Sequence, residues 1–132
     1  MSIPAAIGRL MISIIFIYSG VAKLMAPAAT IAYIASSGLP FAGLAMTIAV
    51  AVELGGGMLL MLGFQTRPVA AGLALFSLVT GLAFHHAIGD QSQLLQLLKN
   101  IAMAGGLLQV VAFGAGVFSL DHRAALRAGR TA

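Results

Sequence analysis

The stretch FAGLAMTIAVAVELGGGMLLMLG, residues 41–63, decides the architecture, and Glu53 is its single charged residue. As a helix its roughly 23 residues would span about 35 Å, enough to cross the hydrocarbon core of a bilayer. A carboxyl at mid-depth costs about 3 kcal/mol even on lenient insertion scales. Glu53 must therefore face protein or water, take up a proton, or pair with a cation. Two readings stand side by side: a functional group, or a protonated Glu that hydrogen-bonds a neighbouring helix and only holds a bundle together.

The composition extends this reading to the whole chain. Of 132 residues, 61% are hydrophobic and 8% are charged. A water-soluble domain is about one quarter charged, so too few polar residues exist to cover a water-facing surface. The expectation is a single integral membrane domain, all-α, with four transmembrane helices. The absence of cysteine excludes thiol catalysis and cysteine-ligated iron–sulfur clusters. The net charge of +4 does not point to nucleic acid, because the cations sit at segment ends and in the tail, where they set orientation in the lipid bilayer.

Helix 1 is expected over residues 4–24. Pro4 suits a helix start, and Arg9 and Lys23 can each snorkel to their own interface. Ser19 and Lys23 share a face, with Tyr18 and Gly20 beside them. The segment reads as a membrane helix rather than a cleaved leader. A short interfacial helix is expected between helices 1 and 2, from Ala28 to Ser37, opened by Pro27 and stopped by Gly38. It reads as a connector packed on the bundle end, or as a lid. Helix 2 covers 41–63; Gly56 and Gly57 fall on the Glu53 face and suit close helix packing. No Lys-Ser/Thr follows the three glycines, so they are not a phosphate-binding loop. Pro68 begins helix 3, expected over 68–87 and ending at His85-His86. Adjacent histidines project about 100° apart on a helix, so no shared metal is expected. Helix 4 is expected over 94–118, with Lys99 and Asn100 near its start and Gly105-Gly106 as packing residues. The tail over 119–132 carries His122, Arg123, Arg127 and Arg130; it reads as loosely ordered on the anionic membrane face, with a short amphipathic helix as the alternative.

Four crossings put both termini on one side, with Arg9, Arg67, Arg123, Arg127 and Arg130; Lys23 and Lys99 lie on the other. The positive-inside rule then predicts cytoplasmic termini. Lys23, His85, Lys99 and Asn100 fall towards the outer side, with Glu53 about 18 Å below the outer end of helix 2. Lys99 is the first expected partner for Glu53, because it starts below the interface, and Lys23 the second. Tyr18, Ser19 and Asn100 could supply hydrogen bonds to the pair. The expected product is an outward-facing polar pocket with apolar walls. It could hold a quinone, with Lys and His donors for carbonyl oxygens and a carboxyl for protons. Composition alone does not separate this from a structural polar network.

Several stretches together resemble the DoxX family of small four-helix membrane proteins and the related DoxD-like group. They are Phe16 to Lys23 with Pro27, Ser37 to Pro40, Val52 to Gly57, Leu62 to Arg67, His85-His86, Lys99-Asn100, Gly105-Gly106 and Ser119 to Arg123. They cover nearly the whole chain in the family's order. The resemblance implies a bacterial inner-membrane protein with oxidoreductase associations. DoxD-like proteins are membrane subunits of a thiosulfate:quinone oxidoreductase, and some DoxX-like proteins are linked to complexes with superoxide dismutase and a sulfur-transfer enzyme. Glu53, Lys23, Lys99, Asn100 and His85 are the matching polar positions, but no catalytic role travels with them. Redox enzyme subunits are then the expected partners, and a homo-oligomer is plausible for so small a bundle. Two other functions remain open: a proton-coupled small-molecule transporter and a non-catalytic assembly protein. The low aromatic content, 7% with no Trp, is poor for a cage around organic cations.

Overall fold

The computed structural model describes residues 2–130. Six helices carry the described chain: α1 (Ser2–Met25), α2 (Pro27–Ser36), α3 (Ala42–Leu62), α4 (Thr66–Phe84), α5 (Gln91–Phe113) and α6 (Leu120–Arg127). Four of them, α1, α3, α4 and α5, are long and apolar enough to cross a membrane. Inside lipid a helix satisfies every backbone donor and acceptor within its own segment, so apolar runs of this length have essentially one outcome. The protein is an all-α bundle of four transmembrane helices.

The helix ends follow local chemistry. Pro27 opens α2, and Gly38, at φ 86°, lies just beyond its end. Gly63, at φ 68°, ends α3; its N–H donates to Leu60 O and that of Phe64 to Leu59 O, the paired bonds of a Schellman cap. The Asp90 carboxylate accepts the Ser92 N–H at 3.0 Å and caps α5. Inside α3, Ala51–Gly56 is π-helical. Such a wide turn resets the register between the halves of a helix and recurs at functional sites. Glu53 sits within it.

The core is built by Phe16, Leu60, Leu73 and Leu107 with the small residues Ala70, Ala74 and Ala104. Small residues let membrane helices approach closely. A Cβ on Gly56 would sit 2.8 Å from Leu73 Cδ2, and one on Gly57 2.9 Å from Ile17 Cγ1. A Cβ on Gly106 would meet Ile12 at 3.2 Å, but one on Gly105 would meet nothing within 4 Å. Gly105 therefore does not pack against a neighbouring helix, contrary to expectation; it lies one position, about 100°, round α5 from the packed face. On α1 the exposed residues Ile7, Met11, Ile14 and Tyr18 recur at helical spacing and form an apolar outer stripe.

Three expected boundaries move. His85 to Ala87 lie outside α4, since the chain turns at His85 to reach the Asp90 cap. α5 begins at Gln91 and stops at Phe113, not 118, because Gly114 and Gly116 take positive φ values of 80° and 77° and fold the chain back. Much of the expected tail is helical: Ser119 Oγ accepts the His122 N–H at 3.1 Å and starts α6, while residues 131–132 lie outside the described residues.

Candidate functional site

Glu53 is buried, with 5% of its surface exposed. Its neighbour across the helix interface is Lys23 on α1. Lys23 Nζ lies 2.9 Å from both carboxylate oxygens. Nζ donates to Oε1 and makes the ion-pair contact with Oε2. Ser19 Oγ donates to Glu53 Oε1 at 3.0 Å and accepts from Lys23 Nζ at 2.9 Å. The three side chains form a closed triangle, with two members one helical turn apart on α1.

Gly20 makes this triangle possible. A Cβ there would lie 2.7 Å from Leu54 Cγ and 3.3 Å from Glu53 Cβ. Its absence lets α1 press against the π-helical turn, which brings Lys23 to Glu53. Lys99, the cation expected first, sits on α5, which packs mainly on α4. It is exposed and makes no ion pair among the described residues.

Lys99 nevertheless shares a cavity with Glu53. The space measures about 670 Å³ and lies in the half of the bundle away from the termini. Phe16, Ile48, Phe76 and Val79 line its walls; Thr30, Tyr33 and Ile34 of α2 close over it. The Tyr33 and Phe84 rings stack at 5.5 Å with an interplanar angle of 21°, joining α2 to α4. Ser19, Lys23, Glu53, His85, Lys99 and Asn100 all contribute to the lining. His85 Nδ1 lies 3.1 Å from Gln93 Oε1; with the proton on Nδ1 a neutral ring presents Nε2 as an acceptor. Asn100 Nδ2 donates to Ser77 O at 3.0 Å, tying α5 to α4, and does not reach Glu53. Tyr18 is 71% exposed and is not in the lining. One position from Ser19, it is rotated about 100° away, onto the outer stripe. Of the three hydrogen-bonding groups expected around the ion pair, Ser19 alone serves it.

A second polar cluster, not foreseen from sequence, occupies the opposite end. Arg9 does not snorkel to the surface; it is 4% exposed. Its guanidinium donates to Ala115 O and, at 2.6 Å, to Phe118 O. The Asp121 carboxylate accepts the Gln65 and Thr66 N–H groups, each at 2.8 Å, and the Asp121 N–H donates to Gly63 O. Burial pushes the Asp121 carboxyl up, but the bonds from Thr66 and Gln65 and the Arg9 charge outweigh it and hold it below the usual carboxylate range. An anion at the first residues of α4 is also favoured by the helix dipole. The available signal was Arg9 itself, since a cation inside an apolar helix needs an internal partner.

The DoxX family model matches residues 5–86, the span from α1 to the end of α4 that holds the Ser19–Lys23–Glu53 triangle. The chain belongs to the DoxX family. Two relatives in Escherichia coli (strain K12) extend the likeness through α5. The inner membrane protein YphA is 36% identical over 124 residues, covering 89% of this chain and 87% of its own. The inner membrane protein YqjF is 32% identical over 116 residues, covering 88% of each. No solved structure gives a significant match.

Proposed function

We propose that this DoxX-family protein is an inner-membrane subunit that holds a lipid-soluble quinone for an associated redox enzyme. The observation that carries the reading is the cavity of about 670 Å³, with Lys23, Glu53 and Lys99 among largely apolar walls. Its size and make-up suit a small amphipathic molecule. Aromatic and aliphatic walls accommodate a ring and tail, the Lys99 ammonium can donate to a ring oxygen, and the Glu53 carboxylate can exchange protons. The inner membrane as location is supported by the names of both relatives.

The arginine distribution supports cytoplasmic termini. Even without the internally bonded Arg9, the terminal side carries Arg67, Arg123, Arg127 and Arg130, against Lys23 and Lys99 on the other. The cavity then lies in the outer half of the bilayer. Proton-coupled transport has less support, because Glu53 is already engaged by Lys23 rather than free for a cationic cargo. The test is mass spectrometry of small molecules co-purified in mild detergent. Wild type is expected to carry near-stoichiometric quinone and Glu53→Gln to be depleted. No quinone in wild type overturns the reading.

A further inference from the structure

The arginines of α6 have no side-chain carboxylate to answer them. The chain carries three such acids, Glu53, Asp90 and Asp121. Glu53 is paired with Lys23, Asp90 caps α5 at the other end of the bundle, and Asp121 accepts the Gln65 and Thr66 amides. Arg123 and Arg127 are exposed and make no ion pair among the described residues. They stand one turn apart on α6, on one face with Leu120, Ala124 and Ala128. Together with Phe64 these five residues line a groove of about 570 Å³. Phe64 comes two residues after the last residue of the membrane-spanning α3, and both it and Leu120 are exposed. The groove thus lies where an apolar span gives way to the headgroup layer, with an apolar wall and two cations. The Asp121 bonds hold α6 to the start of α4, so the arrangement is formed before any ligand arrives.

We propose that this groove binds the headgroup of an anionic phospholipid from the leaflet on the side of the termini. Arg123 and Arg127 bond its phosphodiester, and Phe64 and Leu120 pack on its glycerol and upper acyl carbons. Guanidinium forks match phosphate oxygens and hold them bidentately. Side chains one helical turn apart can converge on one phosphate, and the two alanines leave room beside them. Charge complementarity selects the lipid. Phosphatidylglycerol brings one unbalanced negative charge, whereas phosphatidylcholine adds a quaternary ammonium that both arginines repel. The site lies at the opposite end of the bundle from the cavity and does not depend on the quinone reading.

Native mass spectrometry of the full chain in a neutral maltoside detergent tests this, with added dioleoyl phosphatidylglycerol or dioleoyl phosphatidylcholine. Wild type is expected to hold the glycerol lipid about 10-fold more tightly, from two arginines at an anionic headgroup. The preference should be lost in Arg123→Gln combined with Arg127→Gln. It should persist in Arg67→Gln combined with Arg130→Gln, which removes the same charge from residues outside the groove lining. Equal binding of the two lipids by wild type overturns the proposal without any variant having to fold. Equal losses in the two double variants overturn the groove as the site and leave only the general attraction of a basic membrane face. Inorganic phosphate bound as tightly as phosphatidylglycerol would leave the apolar wall without a role and overturn the lipid as ligand.

Discussion

Lys23 and Lys99 line the same cavity and carry the same charge, but only Lys23 has an anion to answer. Breaking a buried ion pair leaves its other half uncompensated, typically at a cost of about 3–5 kcal/mol. The Lys23 side chain is 25% exposed, so Lys23→Met is expected to destabilise by about 2–3 kcal/mol, below most of that range. Lys99→Met should stay within about 0.5 kcal/mol. Combining Lys23→Met with Glu53→Leu should recover much of the loss, since no lone charge remains. Reversible unfolding in mixed micelles measures all three. Equal losses for the two single lysine variants would deny the triangle a structural role. Glu53 was legible as the residue to watch because a lone carboxyl stands out in an apolar run. Its partner was not, because the choice depends on how closely α1 and α3 approach at Gly20, which depth along the sequence does not reveal.

Among the elements, α6 departs furthest from its sequence reading. Its arginines suggested a tail loosely ordered on a membrane surface, with a short helix only as the alternative, yet the helix forms: Ser119 caps it and Asp121 fastens it to the start of α4. Asp121 has a folded-state pKa held below its unfolded value. Its contribution is therefore fully present above the unfolded value, about 4, and is lost as pH falls through the lower folded value. Hydrogen exchange at the Gln65 and Thr66 amides should accelerate, relative to the intrinsic rate, as pH drops below about 4. Asp121→Asn should already exchange fast at neutral pH and show little of this added acid dependence. An unchanged profile in the variant would mean that the clasp does not depend on the charge. The boundary of α5 illustrates the same limit: the Gly114 and Gly116 turn creates the carbonyls that Arg9 needs, and the sequence had shown only a long apolar run continuing past them.

At the scale of the molecule, the two ends of the bundle have different polar chemistry. The terminal end is closed by Arg9, Asp121 and the α6 helix, while the other end holds the cavity under α2. The chain has no cysteine, so introduced thiols can report which end faces outward. In spheroplasts a membrane-impermeant maleimide should label Gly89→Cys, in the turn between α4 and α5, and should reach Ala128→Cys only after lysis. The reverse pattern would invert the proposed orientation and put the cavity in the inner half.

The sequence by itself determined the membrane class, the four crossings and the presence of one carboxyl, Glu53, inside an apolar span. Those follow from the free energy of putting apolar runs, backbone amides and a carboxyl into lipid, which depends on local composition and length. Only the tertiary structure decided that Lys23 rather than Lys99 meets Glu53, that Tyr18 faces outward, and that Arg9 and the tail close one end. Each of these depends on helix rotation, on close approach at a glycine, or on contact between distant parts of the chain. Such outcomes are set by packing between elements, and no single segment contains them.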